Sequence, residues 1–157
     1  QSRAWEQMKA EERAQKADSG SPPSALEGVA QALPALVRAE KLQKRAARTG
    51  FDWTNPDDIF AKLDEESQEV REALSQGDPA HIEEEIGDLL FVVANLARRV
   101  GVDPEQALSR ANLKFETRFR GMEAMAEQRG FTFGELTLEQ QESLWQEVKA
   151  RARSGQD

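Results

Sequence analysis

Two short runs of carboxylates stand out in this chain of 157 residues: Glu65-Glu66-Ser67-Gln68-Glu69 and Glu85-Ile86-Gly87-Asp88. Each run sets acids three positions apart, which places them on one side of a helix. In the first, Ile59, Leu63, Val70 and Ala73 step at helical spacing and predict a buried stripe. Glu66 lies on that stripe, where the pattern calls for a hydrophobe, and Glu69 follows one turn later. In the second, Ile82, Ile86, Leu89, Val93 and Leu96 predict the buried stripe, bordered by Glu85 and Asp88. Four carboxylates facing one another in a bundle core need a counter-charge, because desolvation and mutual repulsion both oppose ionisation. A hard divalent cation supplies it, and an all-oxygen set suits Mg²⁺ or Mn²⁺. A di-iron bundle requires Glu-x-x-His pairs; the single histidine, His81, has no such glutamate before it. Glu139 and Glu142 share the spacing but read as an ordinary solvated face.

The elements that must hold these groups are marked by their ends. Asn55-Pro56, Asp78-Pro79 and Asp103-Pro104 each put a capping side chain before a proline at the first helical position. Gly50, Gly77, Gly101 and Gly130 sit where helices should stop, and Thr137 with Gln140 forms a capping-box pattern. The expected helices are 35–49, 56–76, 79–100, 104–129 and 138–152, with Phe131-Thr132-Phe133 in a loop. Residues 1–18 read as a short charged helix, and Ser19 to Ser24 as a Gly/Ser/Pro linker. No segment alternates with period two for long enough to make a strand. The fold expected is all-α, an antiparallel helix bundle with the four-carboxylate metal site between two neighbouring helices joined at Gly77-Asp78-Pro79.

Composition narrows the function classes. The net charge is −8, unevenly spread: +3 over residues 1–50, −11 over 51–105 and balanced over 106–157. An acidic chain of this kind is not a general binder of nucleic acid polymers. No apolar run approaches the roughly 20 residues of a membrane helix. Without cysteine there is no disulfide, thiolate zinc site or thiol nucleophile. The chain begins at Gln1 without a signal-peptide pattern, so the expectation is a piece of a longer cytoplasmic protein.

The run Glu65-Glu66-x-x-Glu69 followed by Glu85-x-x-Asp88 resembles the signature of the all-α nucleoside triphosphate pyrophosphohydrolases. That motif is shared with dUTPases and phosphoribosyl-ATP hydrolases; the flanking segments resemble the C-terminal domain of the MazG family. They are Trp5 to Arg13, Leu33-Pro34-Ala35-Leu36, Lys41 to Ala46, Gly50-Phe51-Asp52-Trp53, Ala111 to Phe119 and Trp145 to Lys149. The resemblance implies a domain over 31–153, with 1–30 as interdomain helix and linker and 154–157 as a tail. It implies Glu66, Glu69, Glu85 and Asp88 as ligands of Mg²⁺, with Mn²⁺ a possible substitute, and hydrolysis of a nucleoside triphosphate to monophosphate and pyrophosphate. Glu65 is the candidate for orienting or deprotonating the attacking water, with an exposed helix glutamate as its alternative reading, and Glu84 is open to the same two readings. Asn112, Lys114 and Arg118 fall in the segment the family uses for nucleotide contacts. Trp145 and Lys149, four apart on one face, could stack a base and touch a phosphate, or anchor the last helix to the core.

Two departures stand beside the likeness. Glu11-Glu12-Arg13-Ala14-Gln15 does not match the motif, so the second, N-terminal copy found in the full MazG protein is absent from this chain. His81 replaces an expected lysine. The reading is of a housekeeping or stress-related enzyme acting on the nucleotide pool, assembled as a homodimer. A narrower dUTP- or dCTP-type pyrophosphatase is the first alternative, and an acidic helical interaction module is the second.

Overall fold

The computed structural model describes residues 2–16 and 22–155, and among them every regular element is helical. The first half of the expected linker, Ser19 to Ser21, therefore lies outside the described residues, as do the last two positions of the tail. The chain divides into two compact units, residues 1–105 and 106–157. No helix among the described residues is long and apolar enough to cross a membrane.

The first unit contains α1 (Ser2–Lys16), α2 (Ala35–Arg48), α3 (Pro56–Gln76) and α4 (Pro79–Arg99). Asn55 caps α3 by accepting from the Asp57 amide at 2.9 Å, with Pro56 at the first helical position. Asp57 and Asp58 in that first turn complement the positive end of the helix dipole. At the other end Gly77 takes φ 77°, a left-handed conformation that a side chain would strain. Asp78 then accepts from the Ala80 amide at 3.2 Å and starts α4 immediately. A turn this short folds α4 back on α3, and the two form the main helix pairing, with α2 packed on α4.

The stripe on α3 is as expected: Ile59, Glu66 and Ala73 are buried, with Leu63 and Val70 partly so. On α4 the expected stripe needs correction. Ile86 and Val93 are exposed, at 42% and 46%, while Glu85, Val92, Ala94 and Asn95 lie on the covered side. Contacts with α3 and α2 turn the helix so that Glu85 falls within the packed face instead of at its border. Two side chains secure this arrangement. Gln43 of α2, 6% exposed, donates to the Phe91 carbonyl at 2.9 Å. Arg99 donates to the Thr54 carbonyl at 2.8 Å, fastening the end of α4 to the segment before α3.

The second unit is built from α5 (Pro104–Gln128, its residues from Gln106 on), a 3₁₀ turn at Phe133–Glu135 and α6 (Leu138–Arg153). Thr137 and Gln140 form both hydrogen bonds of the capping box, at 3.2 and 2.9 Å. Met122, Met125, Ala126 and Leu144 are its buried residues, packed against Phe119, Phe133, Leu136, Trp145 and Val148.

Candidate metal centre

The α3–α4 pairing brings together carboxylates from both helices. One oxygen each from Glu66, Glu85 and Asp88 lies within 4.8 Å of the others. Glu66 is 9% exposed, so its charge is largely withdrawn from water. Only partial compensation comes from neighbouring side chains. Lys62, one turn before Glu66, sits with its ammonium 3.5 Å from both Glu66 and Glu65. The nearby Glu65 charge, with the hydrogen bonds to Glu66 and Glu65, holds that ammonium above the usual lysine range. His81, one turn before Glu85, approaches its carboxylate through Nε2 at 3.2 Å. The departure at this position thus supplies a partner for a carboxylate.

Glu69 stands one turn beyond Glu66, half-buried and outside the group of three. Its carboxyl is pushed above the usual range, foremost by the Glu72 charge, then by lost hydration and by Glu85, Glu66 and Glu65. It shares their repulsion without sharing their close approach. Glu65 and Glu84 are exposed. The donors are hard oxygens with unbalanced negative charge, the chemistry that a divalent cation fits.

Beside the carboxylates is a pocket of about 140 Å³. Trp53, Ile59, Phe91 and Val92 form its apolar walls, and Glu66 and Asp88 border it with Lys62 and Asn95. Asn95 is 4% exposed. Its Oδ1 accepts from Arg98 Nη2 at 2.8 Å and Nε at 3.2 Å, and Arg98 itself donates to Asp52 through Nη1 and Nη2. Asn95 carried a signal in the sequence, since a polar amide falls on α4 beside Val92 and Leu96, one heptad beyond Asp88. Lys62 was legible as a cation one turn before Glu66. Trp53 entered the sequence reading only through resemblance.

The remaining sequence candidates belong to the second unit. Asn112 and Lys114 are exposed on α5, while Arg118, Trp145 and Lys149 are half-buried. The Arg118 guanidinium lies 5.5 Å from the centre of the Trp145 ring, and Phe115 lies 5.9 Å from that ring. Trp145 packs against the Met122–Leu144 core, as the anchoring alternative expects.

Comparison with known proteins bears on the first unit most directly. Residues 54–121 match the MazG nucleotide pyrophosphohydrolase domain. The chain is 48% identical over 149 residues to a nucleoside triphosphate pyrophosphohydrolase of Escherichia coli K12, covering 92% of this chain and 54% of that protein. It is 39% identical over 145 residues to the nucleoside triphosphate pyrophosphohydrolase/pyrophosphatase MazG of Thermotoga maritima, with the same coverage of 92% and 54%. It is also 39% identical over 150 residues to the Bacillus subtilis protein YabN, where it covers 30% of the longer chain. The chain thus spans about half the length of the first two relatives.

Proposed function

We propose that this chain, whose residues 54–121 match the MazG nucleotide pyrophosphohydrolase domain, hydrolyses nucleoside triphosphates to nucleoside monophosphate and pyrophosphate. The observation that carries the reading is the close approach of Glu66, Glu85 and Asp88 across α3 and α4 inside that matched segment. These three, with Glu69, would hold Mg²⁺, and Mn²⁺ is a possible substitute. When bound, the ion would polarise phosphate oxygens and offset the charge that develops on them.

The chain's own residues divide the remaining work. Glu65, exposed beside the group, orients the attacking water and accepts its proton. Lys62, kept charged by its two glutamates, is placed to meet phosphate oxygens once they compete for its ammonium. Water oxygen bonds to the α phosphorus, the bond to the bridging oxygen breaks, and pyrophosphate leaves. Asn112, Lys114, Arg118, Trp145 and Lys149 remain proposed nucleotide contacts.

We read 31–153 as the catalytic domain, 1–30 as a flanking helix and linker, and 154–157 as a tail. Ile86, Leu90 and Val93 on α4 are 42–55% exposed along one face, which supports a homodimer covering that face. The proposed setting is the cytoplasm, in housekeeping or stress-related control of the nucleotide pool.

Product analysis tests the reaction. Incubated with a panel of eight ribo- and deoxyribonucleoside triphosphates and Mg²⁺, the protein should release monophosphate and pyrophosphate. Diphosphate with orthophosphate would overturn the choice of bond, and turnover of dUTP or dCTP alone would favour the narrower enzyme.

A further inference from the structure

We infer that the pocket beside the carboxylates seats the pentose of the nucleotide, and that the Asn95 amide donates a hydrogen bond to its 3′ oxygen. The inference rests on the proposed reading that a nucleotide phosphate is held at Glu66, Glu85 and Asp88.

Adjacency selects the ring. Glu66 and Asp88 belong both to the carboxylate group and to the pocket rim, so an occupant must be joined closely to whatever those carboxylates hold. In a nucleotide, the ring joined to the α phosphate through one oxygen and one carbon is the sugar; the base lies beyond it. Size agrees. A cavity of roughly 150 Å³ accommodates one benzene molecule, and the pocket, at about 140 Å³, has room for one ring. Trp53, Ile59, Phe91 and Val92 suit the C–H faces of a pentose.

Asn95 supplies the polar selection. An asparagine amide offers an acceptor and two donors. Here the acceptor is engaged by two N–H groups of Arg98, which fixes the orientation of the amide. No acceptor among the described residues pairs with the Asn95 Nδ2, and the residue is 4% exposed where it lines the pocket. The amide donor left without a protein acceptor is then available to a hydroxyl oxygen arriving with the sugar. Arg98, held by Asp52, is then a positioning residue: it touches no substrate but determines which face of the amide the pocket presents.

The test pairs a protein change with a ligand change. Asn95→Asp keeps an oxygen for Arg98 and removes the donor. Calorimetric titration with Mg²⁺ uses α,β-methylene analogues of dTTP and dATP, beside their 3′-deoxy counterparts. Wild type should bind each 3′-deoxy analogue about ten-fold more weakly, since the hydrogen bond from the Asn95 amide is lost. Asn95→Asp should weaken binding of the 3′-hydroxyl analogues by a similar factor or more. In that variant, deleting the 3′ hydroxyl should cost nothing further, for thymine and adenine alike.

Arg98→Lys should lose part of the same coupling, because one ammonium cannot hold the amide with two parallel donors. Wild type indifferent to the 3′ hydroxyl would overturn the proposal even if the variants failed to fold. Losses that add independently, or that follow the base, would also overturn it. Binding and turnover separate the two readings. Coupled binding without hydrolysis would retain the sugar pocket and remove the reaction; hydrolysis without coupling would do the reverse. Absence of binding by every analogue would remove both.

Discussion

The two units of this chain bury different things. Residues 1–105 withdraw Gln43, Glu66 and Asn95 from water, each at or below 9% exposure, alongside the apolar Ile59, Ala73 and Ala94, while the buried core of 106–157 is the wholly apolar Met122, Met125, Ala126 and Leu144. The second unit follows the ordinary rule of apolar packing, with an aromatic series from Phe115 through Phe119 to Phe133. The first violates that rule at closely spaced positions and surrounds its polar groups with specific partners. Buried polar groups cost stability unless satisfied, so their concentration in one unit supports placing the proposed chemistry there. Proximity alone would not distinguish the units, because both carry clusters of charge. Burial combined with an incomplete set of partners does.

Breaking the contrast at its centre should give the largest effect. Glu66→Gln should reduce Mg²⁺-dependent pyrophosphate release by about a thousand-fold, as expected when several kcal/mol of charge stabilisation is lost. In the metal-free protein the same change should raise the melting temperature, because one withdrawn negative charge is removed from beside Glu85 and Asp88. Glu69→Gln sharpens the result. A comparable loss of turnover would make Glu69 a fourth ligand despite its place outside the close group; near wild-type turnover would leave a cage of three. Circular dichroism with the activity assay separates either result from unfolding.

A smaller effect is expected at Trp145, where the second unit would be drawn into function. Truncating a buried tryptophan costs about 3–5 kcal/mol, and this half-buried ring should fall toward or below the lower end. Trp145→Ala should therefore lower the melting temperature, while Trp145→Phe should preserve most of the packing against Phe115 and Leu144. If Ala weakens nucleotide binding about ten-fold or more without lowering the melting temperature, base stacking is supported. If binding fails only together with the fold, the ring is a core anchor and the contrast between the units stands.

The helices were legible because local rules bound them. Asn55, Asp78, Gly77 and the Thr137–Gln140 box act within a few residues of the ends they set, and the observed boundaries of α2 to α6 fall within one residue of those expected. Glu66, Glu85 and Asp88 were legible for a related reason: hydrophobic periodicity exposes an acid that interrupts or borders it. Ile86 and Val93 were misplaced because periodicity gives an apolar stripe without saying which half faces a neighbour. That depends on α2 and α3, which approach from elsewhere in the sequence. Asn95 was missed as a participant because its meaning depends on Arg98 and Asp52, the latter in a different segment. The Trp53 pocket likewise assembles walls from two distant stretches.

The smallest effect should come from an exposed pair in the second unit. Arg129 donates to Glu147 through Nη1 at 2.8 Å and Nη2 at 2.9 Å, a two-point contact between α6 and the residue following α5. The Arg129 hydrogen bond is the foremost reason that the Glu147 carboxyl lies below its ordinary range, with help from the charges of Arg129 and Arg151. A carboxyl depressed on folding contributes stability above its unfolded pKa, near 4.3 for glutamate. The contribution is lost as pH falls through the lower folded value. Glu147→Gln should consequently melt slightly below wild type at neutral pH, with the difference closing as pH drops below about 4. Solvent screening limits an exposed pair, so raising the salt concentration should shrink the difference at neutral pH as well. Melting curves at several pH values and two ionic strengths check both trends. A difference that persisted in acid would assign the loss to packing of the Glu147 side chain, and the pair would add nothing to the apolar account of this unit.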